Sequence, residues 1–256
     1  MRLTALPALS DNYIWLLADS AGCAVVIDPG EEAPVRAACE RDGLRLTAIL
    51  LTHHHPDHVA GATGLASWSG ATVYAPHDER IASANIRVGH GDTVNLDEPD
   101  LRFEVIATPG HTSSHIAYHG HALLFCGDTL FSVGCGHPFE GSPAQLLTSL
   151  DRLANLPGDT LVCCGHEYTR VNCAFARMFD PDNEALRLRE VQVVTLRSQG
   201  MPTLPVLLSG ELACNPFLRI DSAALISALD PTGSLTRIQR FAELRRRKDE
   251  FRMPSP

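Results

Sequence analysis

No apolar run in this chain approaches the ~20 residues needed to cross a bilayer. The densest runs, Cys23-Ala-Val-Val-Ile27 and Ala48-Ile-Leu-Leu51, have the length of buried strands. The first residues carry one Arg and a short apolar stretch, which Ser10-Asp11-Asn12 breaks before a secretory core can form. A cytoplasmic chain with no membrane partner is expected. The eight cysteines include no CxxC pair, so neither a disulfide framework nor a cysteine metal knuckle is expected, but buried free thiols in a reducing compartment. Positive charge is also short: 21 Lys and Arg against 30 Asp and Glu give −9, which argues against a general nucleic-acid binder. Repeats, low-complexity stretches and heptads are missing too, and nothing forces assembly, so a monomer is expected. With 45% hydrophobic and 20% charged residues, wholesale disorder is excluded. What stands out is histidine, with 12 residues, several at ligand-like spacings.

The first two thirds of the chain alternate short β-branched runs with turn signals. These predict strands over 3–9, 13–18, 23–28, 47–52, 72–75, 101–107, 115–119, 122–126 and 160–164. Helices are predicted between them over 31–42, 59–69 and 143–155. Beyond about residue 166 the strand signal fades, and helices are predicted over 183–198, 222–229 and 235–250, the last capped by Ser234. Leu235, Ile238, Phe241 and Leu244 recur every third residue and predict one buried face on that helix. The Pro- and Leu-rich stretch 201–208 reads as a connector. The expected organisation is an α/β domain over 1–165 and an all-helical domain over 166–256.

The strongest local signal is Thr52-His53-His54-His55-Pro56-Asp57-His58, directly after an apolar strand and before a helical pattern. His53, His55 and Asp57 are two apart, so in a near-extended loop they point the same way, and His58 falls at the helix start. Four potential ligands at a strand end build a poor core and a good metal loop. His54 lies between two of them, points elsewhere and takes no role. Three further groups follow glycines at strand ends: His111 in Pro109-Gly110-His111-Thr112, Asp128 in Cys126-Gly127-Asp128-Thr129, and His166 in Cys164-Gly165-His166-Glu167. Singly each reads as a turn residue; together they supply the candidates that two metals need.

This pattern resembles the metallo-β-lactamase superfamily and, more closely, its glyoxalase II (hydroxyacylglutathione hydrolase) family. The resemblance runs through Ser10-Asp-Asn-Tyr13, Val26-Ile-Asp-Pro-Gly30, the metal loop, Thr108-Pro-Gly-His-Thr112, Cys126-Gly-Asp-Thr-Leu-Phe131, Gly165-His-Glu-Tyr-Thr169, Asn215-Pro-Phe-Leu-Arg219 and Arg245-Arg-Arg-Lys248. The last three segments make it specific. It implies an αββα sandwich of two mixed sheets flanked by helices, plus the C-terminal helical domain.

Position by position, it implies that His53, His55 and His111 hold one divalent metal, that Asp57, His58 and His166 hold the other, and that Asp128 bridges them. Zinc is the first expectation, with iron or manganese as alternatives. Asp28 matches the acid that supports the metal loop, although a turn-initiating Asp before Pro-Gly fits the same residues. No Cys falls on a ligand position.

The chemistry implied is hydrolysis of S-2-hydroxyacylglutathione thioesters, S-D-lactoylglutathione giving D-lactate and glutathione in methylglyoxal disposal. A metal-bridging hydroxide attacks, with Asp57 and Asp128 orienting it. The leaving thiolate needs no separate acid. Tyr168, Arg245 and Lys248 match the glutathione contacts, with His137 and Phe139 in a loop beside the metals. For Arg245 and Lys248 the competing reading is cations placed to favour a helix C-terminus. The family usually carries Lys or Arg where this chain has His137, and Phe139 offers no hydroxyl. Competing functions are a mononuclear-iron glutathione persulfide dioxygenase, a group lacking the helical domain and the basic pair, and a metal-bound binding module without catalysis.

Overall fold

The structure, a computed structural model, describes residues 1–253. The chain divides into two compact units, the first made of Met1–Ala107, Ser114–Gly127 and Cys163–His166 and the second of Thr108–Ser113, Asp128–Val162 and Glu167 onward.

In the first unit, β1 (Arg2–Ala8), β2 (Asn12–Ala18) and β3 (Cys23–Ile27) form an antiparallel meander. Helix α1 (Ala33–Asp42), begun at Pro34 and stopped by left-handed Gly43, carries the chain over to β4 (Arg45–Leu50), parallel to β3. Then come α2 (Pro56–Val59), α3 (Ala62–Ser69), β5 (Thr72–Pro76) and β6 (Ile86–Val88), completing a mixed sheet in the order β1-β2-β3-β4-β5-β6. β2 and β3 are buried at every position, as unbroken apolar runs require. Val35, Ala38 and Cys39 of α1 and Ala62 and Leu65 of α3 share a core with Ile14, Leu16, Val26 and Ile49 of this sheet.

A second sheet follows with β7 (Thr93–Leu96), β8 (Leu101–Ala107), β9 (Ile116–Gly120) and β10 (Leu123–Gly127), each antiparallel to the next. Along β8, Leu101 and Phe103 are buried while Arg102 and Glu104 are exposed, the period-two signal of a strand with one wet face.

The second unit opens with the two-residue strands β11 (Leu130–Phe131) and β12 (Gly134–Cys135), paired as a hairpin. Helix α4 (Pro143–Ala154) starts at a capping box formed by Ser142 and Gln145. β13 (Leu161–Cys164) leads back into the first unit, and α5 (Thr169–Ala176) and α6 (Glu184–Ser198) follow. β14 (Val206–Leu207) pairs with Val162 and Leu161, and α7 (Leu208–Cys214), α8 (Ala223–Leu229) and α9 (Arg237–Glu250) complete the chain. Cys173 and Ala176 of α5, Leu186 and Val193 of α6 and Cys214 of α7 form one core with Val133.

Several expectations need correction. The helix expected over 59–69 starts only at Ala62, with α2 a separate turn before it, because Gly61 turns its N–H to the Pro29 carbonyl at 2.9 Å and passes too close to Glu31 for any Cβ. Asp57 therefore lies on a helical turn rather than in an extended loop. Helix α9 starts two residues later than expected: Thr236 caps it through a box with Gln239, and the Ser234 N–H goes to Asp230 Oδ1 at 2.8 Å. Its buried face is Phe241, Leu244 and Arg245, while Ile238 is 48% exposed. Steps of three fall about 60° short of a full turn, so that spacing walks off the face. The elements β6, β7, β11, β12, β14, α5 and α7 were not expected. All eight cysteines are buried and unbridged. Among the described residues no helix is long and apolar enough to cross a membrane. The last residues of the expected helical domain, 254–256, lie outside the described residues.

Candidate metal centre

β3 and β4 are parallel neighbours, so the segments leaving their C-terminal ends run side by side. Asp28 follows β3 with its N–H on the Leu50 carbonyl at 3.0 Å, and its carboxylate accepts the Thr52 N–H at 2.8 Å and the Thr52 hydroxyl at 2.7 Å. That grip fixes where the His loop starts. Gly30 lies so close under the loop that a Cβ there would collide with the Asp57 carbonyl oxygen.

Three of the expected ligands converge in this unit. His58 Nε2 lies 3.3 Å from His166 Nε2, and each lies 3.4 Å from Asp57 Oδ2. Donors about 2.0–2.1 Å from one tetrahedral ion sit about 3.3–3.4 Å from one another, so this triangle has the dimensions of a metal cradle. Both imidazoles are turned the right way. His58 Nδ1 faces Asp28 Oδ2 at 3.1 Å, and His166 Nδ1 faces Asp11 Oδ1 at 2.7 Å, which leaves each Nε2 lone pair for a cation. Burial pushes the Asp57 carboxyl up, but the His166 and His58 rings, wherever Nε2 carries a proton in place of a cation, the His58 charge that goes with that proton, and the Asn12 amide outweigh it and hold it below the ordinary carboxylate range. His53 and His55 have ring centroids 4.7 Å apart, with His115 stacked on His53 at 4.7 Å. His54 points away, its Nδ1 3.5 Å from Asp78 Oδ2.

His166 reaches the triangle because the Gly165 N–H bonds the Gly127 carbonyl at 3.0 Å and its carbonyl takes the Tyr13 N–H at 2.8 Å. The reading of the sequence gave Asp11 and Asn12 no roles, yet they hold His166 and Asp57, the latter through Asn12 Nδ2 to Asp57 Oδ2 at 3.0 Å. Their only signal was membership of the Ser10-Asp-Asn-Tyr13 segment.

In the second unit, His111 Nε2 lies 3.5 Å from Asp128 Oδ2, while its Nδ1–H donates to the His137 carbonyl at 2.8 Å. An imidazole lone pair facing a carboxylate at that distance suits a shared cation. Phe139 is exposed, its ring 5.3 Å from that of His111 and 4.6 Å from that of His137. His137 Nδ1 lies 3.1 Å from Asp249 Oδ2. The same Asp249 takes Arg245 Nη2–H at 2.8 Å, and Arg245 Nη1–H donates to the Cys135 carbonyl at 2.8 Å. Lys248 Nζ sits 5.6 Å from the centroids of both Phe175 and Phe251, and burial, then repulsion by Arg245, lowers its pKa to about 8. Tyr168 is partly exposed, its ring edge-on to Phe131 at 5.2 Å.

Residues 9–166 match the metallo-β-lactamase superfamily, and residues 167–251 match the hydroxyacylglutathione hydrolase C-terminus. The chain is 51% identical to a hydroxyacylglutathione hydrolase of Xanthomonas campestris pv. campestris (strain B100), over 98% of this chain and all of that protein. It is 52% identical to one of Xylella fastidiosa (strain M12), over 98% of each. Among solved structures it is similar to ETHE1 from Myxococcus xanthus, with a TM-score of 0.62 at 28% identity, covering 97% of this chain and 98% of that one. It also shares its fold with the BLEG-1 B3 metallo-β-lactamase, with a TM-score of 0.66 at 22% identity, covering 85% of this chain and 99% of that one. Such a His/Asp cluster in this fold is a divalent-metal site. By the match of its first part to the superfamily and of its C-terminal part and whole length to these relatives, the chain belongs to the hydroxyacylglutathione hydrolases of the metallo-β-lactamase superfamily.

Proposed function

We propose that this chain hydrolyses S-2-hydroxyacylglutathione thioesters, S-D-lactoylglutathione foremost, to the hydroxy acid and glutathione. The observation that carries the reading is the C-terminal match over 167–251 joined to a His/Asp cradle of metal dimensions. A dioxygenase or a non-catalytic module accounts for the cradle but not for that C-terminal region.

Two metal ions, zinc first and iron or manganese next, would be held by His53, His55 and His111 and by Asp57, His58 and His166, with Asp128 serving both. That pairing rests on the sequence resemblance, and the facing donors described above support it. When bound, the ions supply a water acidic enough to attack at neutral pH and positive charge for the oxyanion that forms. Asp28 and Asp11 keep the His58 and His166 rings in the tautomer that offers Nε2. Asp57 and Asp128 would orient the attacking water. The departing thiolate, with a pKa near 8.5–9, leaves without an acid from the protein.

Tyr168, Arg245, Lys248, His137 and Phe139 bind the tripeptide, whose carboxylates suit the cations of α9. The catalytic part is the domain over 1–165, and 166–256 is the substrate part. The chain acts as a cytoplasmic monomer.

The test follows loss of thioester absorbance with S-D-lactoylglutathione, with metal content measured on the same sample. Turnover that chelation abolishes and zinc restores is expected. A metal-loaded protein that hydrolyses no glutathione thioester refutes the reading.

A further inference from the structure

Glu211 of α7 is fully buried, far in sequence from the metal loop. A buried carboxylate is costly unless donors surround it, and three do. The Ser132 hydroxyl donates to Oε1 at 2.7 Å, the Val133 N–H to Oε2 at 2.7 Å, and the Asn215 amide to Oε2 at 3.0 Å. Burial raises its pKa, and these donors pull it back.

All three contacts serve the turn between β11 and β12. Val133 has φ +57°, the left-handed region that a β-branched side chain strongly disfavours. The turn is held there from outside. The Asn172 amide donates to the Ser132 carbonyl at 3.0 Å, and the Asn215 amide reaches the Phe131 carbonyl at 3.1 Å and the Gly134 carbonyl at 3.0 Å. Arg189, also buried, donates to the Ser132 hydroxyl at 3.0 Å.

The hairpin leads to functional groups at both ends. Asp128 stands two residues before β11. Past β12, the Gly136 N–H bonds the Thr129 carbonyl at 3.2 Å, and the His137 carbonyl holds His111 Nδ1 at 2.8 Å. The turn thus fixes the register in which Asp128 and His111 face each other.

We infer that Glu211 is a positioning residue for the metal centre: it pins Val133 in its strained conformation and thereby sets Asp128 and the His137 carbonyl that orients His111. The inference rests on the reading of Asp128 and His111 as metal ligands.

The test compares wild type, Glu211→Gln and the double variant Glu211→Gln/Val133→Gly. Metal-free protein is titrated with zinc against a chromophoric chelator, circular dichroism reports folding, and kcat is measured with S-D-lactoylglutathione. Glu211→Gln should lose about 10-fold in affinity for the weaker zinc and in kcat, the range for groups that orient ligands. Because glycine takes the left-handed conformation unaided, the double variant should recover most of both losses. A residue that served only the core would gain nothing from Val133→Gly. Unchanged zinc affinity in Glu211→Gln overturns the inference. So does a double variant no better than the single one, and so does one that fails to fold. If Glu211→Gln unfolds and the double variant folds and binds zinc, the inference stands. Wild-type protein that takes up no zinc overturns the metal reading itself, a separate and visible failure.

Discussion

Replacing Lys248 by Met should make the protein more stable and a poorer binder. Its ammonium lies over Phe175 and Phe251, where burial strips its water and Arg245 repels it, while Cys135 and Asp249 pull the other way, leaving the pKa at about 8 against 10.5 in the unfolded chain. Between these two values the unfolded state binds more protons, so stability rises with pH. Below pH 8 the fold carries the cation at a cost. The shift alone corresponds to at most about 3.4 kcal/mol. The group is partly exposed, so solvent screening about halves that figure. The two rings offset about 0.5 kcal/mol more. About 1 kcal/mol remains, and Lys248→Met should recover it at pH 7 as a rise in Tm of about 2–4 °C.

The assay is urea and thermal unfolding of both proteins from pH 7 to 10.5. The advantage of the variant should shrink as pH passes 8 and vanish near 10.5. If Lys248 binds a substrate carboxylate as proposed, the KM of wild type for glutathione thioesters should climb above pH 8 as the cation is lost, and in Lys248→Met it should be high and flat. Equal stability at pH 7 with parallel pH profiles would refute the reasoning, because the ammonium would then keep its water in the folded state.

Arg245→Ala on the same helix should act oppositely on stability: it strands the Cys135 carbonyl and takes from Asp249 one of its partners, leaving His137, at a cost of about 1–3 kcal/mol in urea unfolding, while also raising KM. Asp11→Ala frees His166 Nδ1 and should weaken metal binding about 10-fold in chelator competition, with folding stability nearly unchanged because Asp11 is partly exposed. Gly30→Ala forces a methyl group against the Asp57 carbonyl and should cost about 1–3 kcal/mol and lower metal content on elemental analysis.

What was legible in the sequence was what local pattern can carry. The apolar runs of β2 to β4 and the alternation along β8 are periodic over enough residues to register, and the His loop is dense enough to stand out on its own. Two-residue strands such as β11, β12 and β14 are shorter than any period. In α9 a repeat of three imitated a helical face, and only the backbone revealed that Arg245, not Ile238, turns inward.

The candidate ligands Asp57, His58 and His166 were all named from the sequence, and so, through the resemblance alone, was the supporting Asp28; Asp11 and Asn12 were not, and the reason is physical. Orienting a ring nitrogen needs one acceptor at one distance, which any carboxylate in the chain can supply. Asp11 does so across 155 residues and Asp28 across 30, with no spacing rule linking either to its histidine. Glu211 is harder still, since it acts on the backbone of Val133 and leaves no side-chain pair to find. A net charge of −9 reads in composition as surface character, yet three of these carboxylates work as acceptors, two behind imidazoles and one behind a turn. Ligand chemistry is written in residue types at short range, whereas the orientation of those ligands is written in the fold.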